Sequence, residues 1–94
     1  MAAGLLETRG LTDALEGLDA MCKAAAVDLQ VFQYAGGGVI TVIVKGDVAA
    51  VQAAVAAGKA EVLKAGGELL CSYVIANPHP ALAAYLNGEA SGLE

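Results

Sequence analysis

Ninety-four residues suffice for one small domain, and a domain of this length buries only about three-fifths of the surface that its unfolded chain exposes. Against so modest a core, 57% of the residues are hydrophobic and 16% charged, a surplus of apolar side chain that points to burial between subunits. Five Lys plus Arg against ten Asp plus Glu give a net charge of −5, which argues against a nucleic-acid partner, because phosphate binding needs clustered basic residues. No apolar run reaches the roughly 18 residues of a membrane-spanning helix, and Glu7 interrupts the N-terminus too early for a signal peptide. A cytoplasmic chain with no membrane partner is expected, its Cys22 and Cys71 reduced.

In chain order, Gly4 to Gly10 reads as a short strand bounded by glycines. The spacing of Leu11, Leu15, Leu18, Met21, Cys22 and Ala25 predicts a helix with those residues on one face, capped by Thr12 or Asp13, the latter forming a capping-box pattern with Glu16. Val27 to Tyr34 alternates, with Val27, Leu29 and Val31 on one side, and predicts a half-buried strand. Val39 to Lys45 is β-branched and almost wholly apolar, as a central strand is. Between them, Ala35-Gly36-Gly37-Gly38 has the length of a hairpin connection.

Asp47 is placed to cap a second helix. That helix runs from Val48 to Lys64, with Val48, Val51, Val55, Val62 and Leu63 as its larger apolar contacts and Gly66-Gly67 as its stop. Glu68 to Ala76 is a fourth strand, ended by Pro78-His79-Pro80. Ala81 to Leu86 is a short helical tail, stopped at Asn87-Gly88. The fold class is α/β (α+β) of the split β-α-β-β-α-β type: a four-stranded antiparallel sheet, two helices on one face and a short C-terminal helix. Residues 1–90 form the single domain, and residues 91–94 are read as a disordered tail that an expression vector could have supplied. The second sheet face needs the tail helix, a neighbour, or both to cover it.

These elements carry residues that resemble the bacterial microcompartment shell proteins of the single-domain, hexamer-forming type (BMC domain). The series runs through Gly4-Leu5-Leu6-Glu7-Thr8-Arg9-Gly10-Leu11, Asp19-Ala20-Met21 and Lys23-Ala24-Ala25. It continues with Gly36-Gly37-Gly38, Thr41-Val42-Ile43-Val44 and Gly46-Asp47-Val48-Ala49-Ala50-Val51, and ends with Gly67-Glu68, Val74-Ile75 and Pro78-His79. The match covers roughly residues 3 to 86 in order and at compatible spacing. The resemblance implies a structural shell subunit in the bacterial cytoplasm, with no catalytic activity. Its partners would be a homohexamer, lateral contacts with other hexamers and other shell proteins, and encapsulated enzymes. It places Gly36, Gly37 and Gly38 at the rim of a pore on the sixfold axis that passes small polar metabolites. It places Lys23, Asn77, Pro78 and His79 at the hexamer edge. The family pattern usually carries arginine where this chain has Asn77, which lacks the charge and reach of a guanidinium. In the loop, Ala35 replaces a larger aliphatic and Gly37 a frequent serine.

Other chemistries find less support in the residues. The glycine triplet is locally a turn that uses positive φ. It is followed by a strand, and no Gly-Lys-Ser/Thr stands at phosphate-loop spacing. A thiol nucleophile with His79 as its base is disfavoured by the prolines flanking His79 and by the predicted apolar-face position of Cys22. One histidine and two cysteines, without CxxC or HxxxH spacing, do not make a metal set, and no cofactor is expected. Asp13, Glu16, Asp19, Asp47 and Glu61 fall on the helices, mostly near first turns, where they offset the dipole. Glu7 and Arg9 share a strand face and suit a subunit contact or a local pair. If six loops surround an axis, the rim is backbone, and amides turned inward would favour anions or uncharged polar solutes. The alternative is a small-molecule-sensing regulatory module, since the same topology hosts many ligand-binding domains.

Overall fold

A central strand with two apolar faces dictates the architecture. The computed structural model describes residues 1–86. The elements are β1 (Ala2–Arg9), α1 (Leu11–Ala24), β2 (Asp28–Tyr34), β3 (Val39–Gly46), α2 (Val48–Lys64), β4 (Glu68–Ile75) and α3 (Pro80–Leu86). The strands form one antiparallel sheet in the order β2-β3-β1-β4, the split βαβ arrangement that the chain order predicts. The assignments of Asn87-Gly88 as a stop and of residues 91–94 as a tail lie outside the described residues.

Because β3 is interior, both of its faces are covered: Ile40, Val42 and Val44 point toward the helices, Thr41 and Ile43 away from them. The main core joins those three to Leu6 of β1, Ala14 and Met21 of α1, and Val51, Ala54, Val55 and Val62 of α2. Full burial of side chains the size of Leu6 or Met21 contributes about 1.5–3 kcal/mol each. A smaller cluster of Ala3, Val31 and Ile43, with Leu5 beside it, lies on the second face. That face is not apolar throughout, since Glu7 meets Thr41 and Cys71 on it.

The helices approach closely where they cross. A Cβ on Gly17 would stand 2.7 Å from Leu6 Cδ2, and one on Gly58 would stand 2.7 Å from Met21 Cγ and 3.2 Å from the Gly17 carbonyl oxygen. The buried residues of α1 are Ala14, Gly17 and Met21. Leu11 and Leu15, expected on the inner face, are exposed, as is Cys22. Met21 is fully buried and Leu18 and Ala25 pack against the core as expected, but at the crossing the inner stripe is Ala14 and Gly17, because the second helix comes too near there for leucine.

Two other expectations change. The even alternation predicted for β2 is broken by a register shift between Leu29 and Val31. Leu29 pairs with Val44 and Val31 with Ile43, so they lie on opposite faces, as one extra residue in a strand requires. At the start of α1 neither Thr12 nor Asp13 caps. Gly10 holds the N-cap position at φ 107° with no side-chain cap. The Asp13 carboxylate instead accepts the backbone N–H of Glu68 at 3.3 Å, packed so tightly over Gly67 that a Cβ there would meet it at 2.6 Å. Asp47 holds the N-cap position of α2, also without a side-chain hydrogen bond.

The far end of α2 follows the sequence signal. Gly66 takes φ 77°, its N–H bonds the Leu63 carbonyl at 3.1 Å, and the Gly67 N–H bonds the Val62 carbonyl at 2.9 Å. Those two bonds make the Schellman ending of a helix. Val48 and Leu63, expected as core contacts of α2, are exposed at the two ends of the helix.

Candidate functional site

The Gly36–Gly38 hairpin is built from backbone. All three glycines have positive φ, at 91°, 62° and 82°, a run that L-residues with side chains resist. The Val39 N–H closes the turn on the Gly36 carbonyl at 3.0 Å, and Ala35 N–H bonds the Val39 carbonyl at 2.8 Å. Nothing lies within 4 Å of a Cβ built on Gly36 or Gly37, so the tip is open.

Neighbouring elements fix the base of this loop. Gly10 N–H donates to the Gly38 carbonyl at 2.6 Å, Arg9 Nη1 donates to the Gly37 carbonyl at 2.9 Å, and the Gly38 N–H donates to the Tyr34 hydroxyl at 3.2 Å. The Arg9 Nε in turn lies 3.4 Å from Glu68 Oε1. Arg9 and Glu7 therefore do not form the local pair their spacing allowed. Glu7 accepts the Thr41 hydroxyl at 2.8 Å and the Cys71 thiol at 3.3 Å. Burial first, then that hydrogen bond and the carboxylate charge, push the Cys71 thiol up from its ordinary value. A thiol held protonated is a poor nucleophile.

The remaining candidate residues lie elsewhere. The register pairs Arg9 with Val39 at one end of the sheet and Ala2 with Gly46 at the other. The hairpin, Arg9, Gly10 and Glu68 share the first end. Strand β4 finishes at the second end, where Ala3 pairs with Ile75, and it leads there into Asn77, Pro78 and His79. Helix α1 runs from the first end to the second, which puts Lys23 of its last turn there too. Eight-residue strands separate the two groups by about 25 Å.

Lys23 is exposed and pairs with Asp19 at 2.8 Å. The hydrogen bond to Asp19, then its charge, raise the Lys23 pKa above the usual lysine range. Asn77 and His79 are exposed, and Pro78 is half-buried. His79 Nδ1 accepts the Ala81 N–H at 3.0 Å and its carbonyl accepts the Leu82 N–H at 2.8 Å. The histidine thus caps α3, with Pro80 at the first helical position, where its missing N–H costs nothing. The Cys71 thiol bonds the Glu7 carboxylate and the His79 imidazole bonds the Ala81 N–H, so these bonds pair no thiol with the imidazole, and among the described residues no group of three or more His, Cys, Asp or Glu could hold a metal ion.

Sequence spacing alone missed Arg9, Glu68 and Tyr34 as supports of the loop. The available signal was position. Arg9 is the last residue of a strand that ends beside the start of β3.

Comparison with known proteins identifies the family. The BMC domain family model matches residues 2–78. The carboxysome shell protein CsoS1A of Hydrogenovibrio crunogenus is 44% identical over 89 residues, which are 95% of this chain and 93% of that protein. The probable carboxysome shell protein CsoS1E of Prochlorococcus marinus is 47% identical over 79 residues, 84% of this chain but 39% of that longer protein. A crystal structure of a microcompartment protein from Desulfitobacterium hafniense DCB superposes with a TM-score of 0.81 at 34% identity, covering 93% of this chain and 47% of its own. With family model, relatives and fold in agreement, the chain belongs to the BMC domain family.

Proposed function

We infer that this chain is a structural subunit of a bacterial microcompartment shell. In this reading six copies form a ring whose centre is lined by the Gly36–Gly38 hairpins and whose perimeter carries Lys23, Asn77, Pro78 and His79. The observation that carries it is the separation just described. A tile with a central pore needs its pore loop at one end of each wedge and its edge contacts at the other, and the register that sets the hairpin and the end of β4 at opposite ends of the sheet supports this reading. The subunit measures 36 × 30 × 16 Å along its principal axes, a flat shape suited to a layer one subunit thick. Its exposed Leu11, Leu15, Leu63 and Tyr73 supply apolar surface for contacts between copies.

The rim would be chemically mild. Three carbonyls of the hairpin already have donors, so the groups left at the tip are N–H donors, which favour anions and uncharged polar solutes. The role is structural, and a ring of this kind would pass metabolites through its centre to and from enclosed enzymes. Gel filtration with light scattering tests the ring. A mass of six subunits supports it, whereas a monomer or dimer at every concentration removes both ring and pore. A discrete small oligomer that binds one metabolite saturably would instead favour a ligand-sensing module.

A further inference from the structure

We propose that Arg9 is a positioning residue for the pore loop, deciding which backbone groups the hairpin offers to a passing solute. The proposal rests on the pore reading above and deepens it. Each Gly36–Gly38 carbonyl has a donor: Val39 N–H for Gly36, the Arg9 guanidinium for Gly37, Gly10 N–H for Gly38. Two of these bonds come from backbone and follow from the hairpin and the β1–α1 turn. The third depends on one side chain.

Among the described residues, the Gly36 and Gly37 N–H groups have no acceptor. Without Arg9 the Gly37 carbonyl would have no donor either. In a three-glycine segment with open space around its tip, the 37–38 peptide unit, left with only the Gly38 N–H bond to the Tyr34 hydroxyl, could then rotate at little steric cost. Carbonyl oxygens would face the axis part of the time and offset the amides.

One further contact fixes the guanidinium: Glu68 Oε1 lies 3.4 Å from Nε, leaving Nη1 for the loop. The planar fork is suited to holding a carboxylate and a carbonyl together, which a lysine ammonium on a flexible stem does less well.

The test uses the assembled protein with Arg9→Gln and Arg9→Lys, the second of which keeps the charge. Hydrogen exchange is read at the Gly38 amide, in the peptide unit that Arg9 holds, and at the Val39 amide, which closes the turn. The chloride-to-potassium permeability ratio is read from reversal potentials in planar bilayers. The expected result is roughly fivefold faster exchange at both amides in both variants, the size of one net hydrogen bond lost, and a lower chloride preference in both. Unchanged exchange in both variants, with selectivity reduced only in Arg9→Gln, would overturn the proposal and leave Arg9 as a point charge. If the wild-type protein conducts nothing, the pore reading fails, while the exchange measurement still decides whether Arg9 holds the loop.

Discussion

The crossing of α1 and α2 at Gly17 and Gly58 gives the sharpest prediction about stability. Alanine at an exposed helix interior would gain about 1 kcal/mol over glycine. Here a Cβ on Gly17 would lie 2.7 Å from Leu6 Cδ2 and 3.1 Å from Val62 Cγ2, and both side chains are fully buried. A Cβ on Gly58 would lie 2.7 Å from Met21 Cγ and 3.2 Å from the Gly17 carbonyl oxygen, which is backbone and cannot turn aside. Overpacking of this kind costs about 1–3 kcal/mol. The net expectation for Gly17→Ala or Gly58→Ala is a loss of about 1 kcal/mol, or a fall of about 4–8 °C in Tm for a domain of this size. The two substitutions push the same helices apart, so the double variant should lose at least about 0.5 kcal/mol less than the sum. Urea denaturation at one fixed protein concentration measures all three. A gain of the full helix propensity in either single variant would refute the close crossing.

Three other outcomes are expected. Gly37→Ala should cost about 1–2 kcal/mol through its left-handed φ of 62° alone, since nothing crowds it, and Gly37→Asn should cost less; equal, negligible losses in thermal melts would contradict the turn geometry. The Cys71 thiol has a raised pKa in the folded chain, so between the unfolded value of about 8.5 and the folded one the native state holds a proton that the unfolded state has released. Stability therefore falls as pH rises through that window; Cys71→Ala should flatten the fall in urea titrations from pH 7 to 10, and an unchanged slope would count against it. Lys23→Ala should leave the oligomeric state and Tm nearly unchanged, because its Asp19 partner is an exposed i,i+4 pair that solvent screens. It should reduce extended sheets in electron micrographs, and undiminished sheets would remove Lys23 from the edge.

Much of this was legible in the residues because strand and turn signals are local. The β-branched run Val39–Lys45, the glycine triplet and Gly66-Gly67 each specify a backbone shape by their own chemistry, and the strand order follows from the sequence of elements. What was not legible depends on approach from elsewhere in the chain. At the crossing the inner stripe of α1 is Ala14 and Gly17 because α2 comes close, and leucine spacing could not reveal that. Asp13 forgoes its helix cap for the Glu68 N–H, a partner 55 positions away. The bulge at Gln30 reverses the facing of Val31 with no glycine or proline to announce it. At the candidate site the loop itself was evident, whereas its support by Arg9 and Glu68 needed the register of β1 against β3 and β4.

In the proposed tile the glycine hairpins of six copies surround one axis while Lys23 and residues 77–79 face neighbouring rings. Electron microscopy of the purified protein at a resolution that traces the backbone tests it directly. Sixfold rings with Gly36–Gly38 at the centre and the α1 C-terminus at the perimeter, packed edge to edge, are expected. Rings with the hairpin at the outer edge, or particles with no rotational symmetry at any concentration, would contradict it.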